Sequence, residues 1–238
     1  MKAVVLAGGK GTRLRPYTAV LPKPLVPVDD TPILEIILRQ LGRAGITEVM
    51  ITVGHLASLV ENFFGDGSRF GLRIRYFREE TPLSTVGSLA LIDDLTEPFL
   101  VMNGDVLTDI DFQRLVAFHR EKGCVATIAT APREEQADFG VVRWDGDTRI
   151  IEFLEKPMSR YHVSMGVYVF SRTVLSYIPA GEPFGFDELM QAMLDAGERL
   201  YSFPHAGYWL DLGRPDDYER AIKDFAQRRE HFIGATQP

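Results

Sequence analysis

The opening of the chain restricts its fold more than any other stretch. Lys2-Ala3-Val4-Val5-Leu6-Ala7 is a short apolar run, and Gly8-Gly9-Lys10-Gly11-Thr12-Arg13-Leu14-Arg15-Pro16 follows it directly. An apolar run ending in glycines predicts a buried strand feeding a loop whose backbone approaches a ligand closely. Bare N–H groups together with Lys10, Arg13 and Arg15 suit a polyanion such as a triphosphate. Two better-known phosphate loops fit poorly. A Walker A motif needs Gly-Lys-Ser/Thr with a glycine five positions earlier, but Val4 occupies that place and Gly11 follows Lys10. A dinucleotide fingerprint needs Gly or Ala where Leu14 stands, then an uninterrupted helix. Pro16, Pro22, Pro24, Pro27 and Pro32 forbid that helix, although Asp29 and Asp30 stand near the distance expected of a ribose-binding acid.

The pattern is similar to that of the sugar-1-phosphate nucleotidylyltransferases, or nucleotide-sugar pyrophosphorylases. Their loop reads Gly-Gly-x-Gly-Thr-Arg-Leu-x-Pro and is followed by Pro-Lys-Pro. Gly8 to Pro16 and Pro22-Lys23-Pro24 match it at the same spacing. The resemblance implies an α/β, three-layer, Rossmann-like fold: a mostly parallel sheet with an added antiparallel subregion, the nucleotide-diphospho-sugar transferase fold. It also implies that Leu6, Ala7, Gly8, Gly9, Gly11, Thr12, Arg13 and Lys23 contact a nucleoside triphosphate.

Composition bounds the rest. A chain of 238 residues buries one good core, so residues 1–230 are expected to form a single domain, with a frayed, disordered tail over 231–238. A net charge of −7 argues against a nucleic-acid partner and requires any positive field to be local, as Lys10, Arg13, Arg15 and Lys23 are. The single cysteine, Cys124, excludes an internal disulfide and suits a reducing compartment. No apolar run reaches the ~18 residues of a membrane span, and Met1-Lys2 opens straight into a strand. A cytoplasmic protein with small-molecule substrates and no membrane partner is expected, with a homodimer left open.

Further along, Thr31-Pro32 is expected to cap a helix carrying Ile33, Leu34, Ile37, Leu38 and Leu41 on one face and ending at Gly45. Strands are expected at 48–53 and 73–77, with a helix at 57–64 between them, predicting parallel strands with right-handed crossovers. Glu79 to Gly87, followed by a helix to about Asp94, resembles the family's base-reading loop. There Glu80, Pro82, Thr85 and Gly87 would meet the nucleobase; Ser84 and Val86 replace the usual glycine and alanine. An acidic pair before a helix is also an ordinary solvated surface.

Phe99 to Met102 is a buried strand ending in Asn103-Gly104-Asp105. A carboxylate just past a strand end can hold Mg²⁺ against phosphate oxygens. Asp109-Ile110-Asp111 has the Asp-x-Asp spacing of a glycosyltransferase metal site, but fits better as the cap of a helix over 112–122. Strand 124–130 follows, and 139–170 turns to antiparallel hairpins. That region carries Phe139-Gly140-Val141, Glu155-Lys156-Pro157 and Ser164-Met165-Gly166-Val167-Tyr168. By resemblance, Gly140, Glu155, Lys156, Ser164 and Gly166 form the sugar-phosphate pocket, with Lys156 on the phosphate. Helices are expected at 173–177, 186–196 and after Pro215. Trp209-Leu210-Asp211-Leu212-Gly213-Arg214-Pro215 matches the family's Trp-x-Asp-x-Gly-x-Pro. Asp211 would therefore share Mg²⁺ with Asp105, about a hundred residues away.

The implied reaction joins a nucleoside triphosphate, with GTP favoured and UTP, dTTP or CTP as alternatives, to a sugar 1-phosphate, mannose or manno-heptose 1-phosphate first, and releases pyrophosphate. Arg13, Lys23, Asp105, Lys156 and Asp211 are the expected catalytic set. Three rivals follow from the same residues: a phospho-amine cytidylyltransferase, a glycosyltransferase using Asp109 and Asp111, and a non-catalytic nucleotide-sugar sensor.

Overall fold

The computed structural model describes residues 1–95, 98–213 and 215–234. The strands are β1 (Lys2–Ala7), β2 (Pro27–Val28), β3 (Thr31–Pro32), β4 (Glu48–Val53), β5 (Arg73–Arg78), β6 (Phe99–Asn103) and β7 (Val106–Thr108). They continue with β8 (Ala126–Gln136), β9 (Val141–Trp144), β10 (Ile150–Leu154), β11 (Met158–Phe170), β12 (Leu200–Pro204) and β13 (Trp209–Asp211). The helices are α1 (Ile33–Arg43), α2 (Ala57–Phe64), α3 (Phe112–Lys122), α4 (Phe186–Asp195) and α5 (Pro215–Ile233).

Seven strands form one sheet in the order β12-β8-β11-β6-β1-β4-β5. Strand β1 lies at its centre, parallel to β4 and to β6, and only β11 runs antiparallel to its neighbours. Alternation along the strands fills two separate cores. Ala3 and Val5 face the layer of α1, α2, α3 and α5, whereas Val4 faces α4 and the short 3-10 segments. This is the expected three-layer α/β fold. Among the described residues, no helix is long and apolar enough to cross a membrane.

The structure departs from expectation in several places. The helix expected after Gly87 is only a 3-10 segment, Gly87–Leu91. The N–H groups of Val86 and Gly87 donate to Phe184 O, both at 3.1 Å, so the segment is docked by outside contacts. The helix expected at 173–177 is likewise 3-10, Arg172–Tyr177. Thr31 does not cap α1: its hydroxyl donates to Asp30 Oδ1 at 2.7 Å, and Thr31-Pro32 pairs with β2 as a short hairpin. Strand β8 continues past Thr130 to Gln136 because β11 extends far enough to pair with it. Helix α5 breaks at Arg228 (φ −125°, ψ 23°), and its second part runs beyond His231, where fraying was expected, because Phe232 is buried and packs edge-on to Tyr208. Residues 235–238 of the expected tail, and Arg214, lie outside the described residues.

Candidate active site

The carboxyl ends of β1, β4 and β6 open into a cleft of about 920 Å³. Its walls include Leu6, Ala7, Gly8, Gly9, Gly11, Thr12, Arg13 and Lys23 from the first thirty residues, then Glu80, Pro82, Thr85 and Asp105. Most of the expected nucleotide contacts are therefore together. The exception is Gly87, which does not line the cleft. A Cβ there would stand 2.8 Å from Glu182 O, so this glycine lets the 3-10 segment dock.

The glycine loop takes its shape from local bonds. Gly11 has φ +61°, a conformation other residues reach only with strain, and its carbonyl accepts from Leu14 N at 3.0 Å and Thr18 Oγ1 at 2.7 Å. That turn carries the chain into Thr12–Leu14 and leaves Arg13 exposed at the rim. The Glu79 carboxylate packs over Gly8, where a Cβ would lie 2.4 Å from its Oε1 and displace it. Glu79 is the inner glutamate of the acidic pair. Its Oε2 accepts from Leu83 N at 3.2 Å, and burial raises its pKa above the usual value, whereas Glu80 is exposed.

The two expected metal aspartates meet because β7 pairs antiparallel with β13, setting Asp211 opposite Val106. Leu212 N donates to Asp105 O at 2.9 Å and fixes this junction. Lys23 forms an ion pair with Asp105, with side-chain exposures of 13% and 21%. Asp211 Oδ1 is sealed from solvent without a hydrogen-bond partner. Its pKa is raised by burial first and by the Asp105 charge second, against opposing contributions from Lys23 and Arg13. Arg13 and Asp211 both press on Gly213, where a Cβ would stand 3.2 Å from the guanidinium carbon and 2.9 Å from Asp211 Oδ1.

No cluster of three or more His, Cys, Asp or Glu side chains stands ready for a metal among the described residues. Two carboxylates, one with an orphaned oxygen, nevertheless fit Mg²⁺, which keeps several waters and takes substrate phosphate oxygens as its other ligands. Asp109 has a different occupation. Its carboxylate accepts from Tyr208 N at 2.7 Å and pairs with His205 at 2.8 Å and His231 at 3.0 Å. Burial pushes its pKa up, but those contacts outweigh burial and hold it below the usual value. Asp111 caps α3, accepting from Arg114 N at 3.0 Å.

The expected sugar-phosphate residues do not line the cleft. Glu155 and Lys156 are exposed beyond the β9–β10 hairpin, and Lys156 has φ +45°. A Cβ on Gly140 would stand 2.5 Å from Phe153 Cζ and 3.2 Å from Glu155 Oε2, so its bareness admits Phe153. Ser164 Oγ donates to Tyr168 OH at 3.2 Å. Gly166 leaves space for Asn103, whose Nδ2 would be 2.6 Å from a Cβ there. Sequence reasoning missed Thr52, His55, Ser88, Asn103 and Gly213, all of which line the cleft. Thr52 and Asn103 flank Leu6 in register on neighbouring strands, a relation visible only once the strand order is known.

A cation-bearing glycine loop facing paired carboxylates at the carboxyl edge of a parallel sheet defines a nucleotide-handling α/β protein. Residues 2–228 match the nucleotidyl transferase family, and the chain belongs to that family. It is 36% identical to a UTP–glucose-1-phosphate uridylyltransferase of Synechocystis sp. over 96% of its length, and 37% identical to a mannose-1-phosphate guanylyltransferase of Mycobacterium tuberculosis over 94%. The chain spans 64% of the length of each of these curated relatives. A Bacillus anthracis protein assigned as a glucose-1-phosphate thymidylyltransferase superposes with a TM-score of 0.76 at 25% identity, covering 100% of this chain and 97% of that one. HddC from Yersinia pseudotuberculosis, solved with GMP-PN, shares the fold at a TM-score of 0.73 and 22% identity, covering 94% and 99%.

Proposed function

We propose that the chain transfers a nucleotidyl group from a nucleoside triphosphate to a sugar 1-phosphate, releasing pyrophosphate. GTP with mannose 1-phosphate, or with a manno-configured heptose 1-phosphate, is the leading pair. The observation that carries the reaction is the Lys23–Asp105 ion pair in the glycine-loop cleft, with the buried, unpartnered Oδ1 of Asp211 close behind it. Two phosphate anions repel unless cations lie between them, and this chain concentrates cations there despite its net charge of −7.

The sugar phosphate oxygen attacks the α-phosphorus in line, so no protein nucleophile or general base is required. Loop N–H groups and Arg13 hold the departing pyrophosphate and Lys23 sits at the α-phosphate, while Lys156, exposed outside the cleft between β10 and β11, reaches the sugar's phosphate only once the acceptor draws it in. Asp105 and Asp211 would hold Mg²⁺, whose contribution when bound is to neutralise charge on the phosphate oxygens. With its phosphate already ionised at neutral pH, the acceptor needs positioning more than activation.

Glu79 supports the choice of base. Its carboxylate lies inside the cleft, and guanine offers N1–H and an exocyclic amine as adjacent donors. A uridylyl-transferring relative is about as similar as a guanylyl-transferring one, so the base choice rests on Glu79 rather than on likeness. A pyrophosphate-release screen of the four common triphosphates against mannose, heptose and glucose 1-phosphates tests both levels. GTP with a manno-configured sugar should be fastest. UTP or dTTP winning would overturn the guanine assignment, and no release with any pair would overturn the reaction.

A further inference from the structure

Arg133 stands on the part of β8 that projects beyond the sheet's carboxyl edge, paired across from Tyr161 of β11. Its guanidinium lies 4.9 Å from the centroid of the Trp209 ring. That ring is itself fixed, because Trp209 Nε1 donates to Met165 O at 2.9 Å. The neighbouring acids are engaged elsewhere: Glu134 pairs with Arg160 at 2.9 Å, and Glu135 accepts from Tyr161 OH at 2.8 Å. Among the described residues no carboxylate pairs with Arg133. In a chain with 33 acidic and 26 basic residues, an exposed arginine stacked on a fixed ring and without a direct ion pair is available to an external anion.

Trp209 and Asp211 are alternate residues of β13, so their side chains leave the strand on the same side, about 7 Å apart along it. The Arg133–Trp209 stack is therefore carried by the same short strand as Asp211. With the triphosphate on the glycine loop, the acceptor phosphate has to reach Asp211, two residues along β13 from Trp209; Arg133 and Trp209 themselves lie outside the glycine-loop cleft. Stacking has already removed much of the side chain's rotamer freedom, so less is lost when the guanidinium engages a phosphate.

We propose that Arg133, held by Trp209, is a binding residue for the phosphate monoester of the acceptor sugar. This rests on the nucleotidyl-transfer reading above and adds to it a cation outside the set Arg13, Lys23 and Lys156. A charge-assisted contact of this kind is worth about ten- to a hundredfold in affinity.

Two measurements on the intact chain test it. In steady-state kinetics with GTP and mannose 1-phosphate, Arg133→Ala should raise KM for the sugar phosphate about ten- to a hundredfold and leave KM for GTP within about twofold. Arg133→Lys should recover only part of the loss, because it keeps the charge without the planar fork. Arg160→Ala, on the same ribbon but already paired, should change neither constant. Equal sugar-phosphate KM values for wild type and Arg133→Ala, or equal losses in Arg160→Ala, would overturn the proposal. Calorimetric titration of mannose 1-phosphate, in the presence of Mg²⁺ and a non-hydrolysable GTP analogue, reads the contact without turnover. Binding weakened by Arg133→Ala supports the assignment even if no pyrophosphate is ever released. Binding unchanged by Arg133→Ala, or absent in wild type, rejects it. A melting temperature unchanged by the substitution separates lost binding from lost folding.

Discussion

Lys23 and Asp105 lie 82 residues apart in the chain and form an ion pair at the rim of the cleft. One comes from the 3-10 turn after the glycine loop, the other from the bend between β6 and β7. Lys23 thereby shields a carboxylate close to that of Asp211, whose Oδ1 is buried without a side-chain partner. Lys23→Met and Asp105→Asn should each lower turnover by two or more orders of magnitude, the scale of losing a principal charge contact in phosphoryl chemistry. Both proteins should remain folded, because each substitution nearly keeps side-chain volume, but each should melt lower than wild type, since the pair is only 13% and 21% exposed and one partner is left unpaired. Initial rates beside circular dichroism melts check this; an active Lys23→Met would remove Lys23 from the mechanism.

Asp211 provides a test that does not depend on activity. Its folded pKa is raised, chiefly by burial, so the native state binds more protons than the unfolded state above the ordinary carboxylate value of 3.8. Stability should therefore fall as pH rises from 3.8 through the folded pKa, with the carboxylate as the cause. Without metal, Asp211→Asn should melt higher than wild type at neutral pH and lose that pH slope. Added Mg²⁺ should raise the wild-type melting temperature and leave that of Asp211→Asn nearly unchanged. A Mg²⁺ response equal in both proteins would place the ion elsewhere.

Asp109 should behave in the opposite way. Its carboxylate is stabilising above its unfolded pKa, and that contribution is lost as pH falls through the lowered folded pKa. Asp109→Asn weakens its links to Tyr208 N, His205 and His231, and should destabilise by about 1–3 kcal/mol, with metal-dependent turnover kept below the melting range. Loss of metal dependence in this variant would revive the glycosyltransferase reading.

The two glutamates of the base loop should separate cleanly. Glu79→Gln should cut the preference for GTP over UTP by about ten- to a hundredfold, the scale of a bidentate contact, whereas Glu80→Gln should change it little. Competition between the two triphosphates at equal concentration gives the ratio directly. If Glu80→Gln has the larger effect, the outer glutamate is the one that reads the base.

Much of this site was legible because its chemistry is local in sequence. The glycine loop, Lys23 and Asp105 each sit within a short motif whose residue types leave few alternatives. The meeting of Asp105 with Asp211 could be anticipated from strand ends, and the β7–β13 pairing supplies it. Thr52, Ser88 and Asn103 were not legible, since a buried threonine, serine or asparagine carries no signal until strand register brings it beside Leu6 or beneath the cleft. Asp109 looked like half of a helix cap or a metal motif, and its partners His205 and His231 lie 96 and 122 residues away. Phe232 was lost among charges, Arg228-Arg229-Glu230-His231, although it packs against Tyr208 and Phe225. The 3-10 segment after Gly87 failed for a related reason: its hydrogen bonds are made to residues near 184, which local propensity does not register.

The central claim is that an oxygen of the sugar phosphate forms the new bond to the α-phosphorus of the triphosphate as pyrophosphate leaves. Mannose 1-phosphate labelled with oxygen-18 at its phosphate, incubated with GTP, Mg²⁺ and the protein, tests this by mass spectrometry of the products. Direct attack predicts that all the label resides in the diphosphate of the nucleotide-sugar and none in the pyrophosphate. Label in pyrophosphate or free phosphate, or no nucleotide-sugar at all, would contradict it.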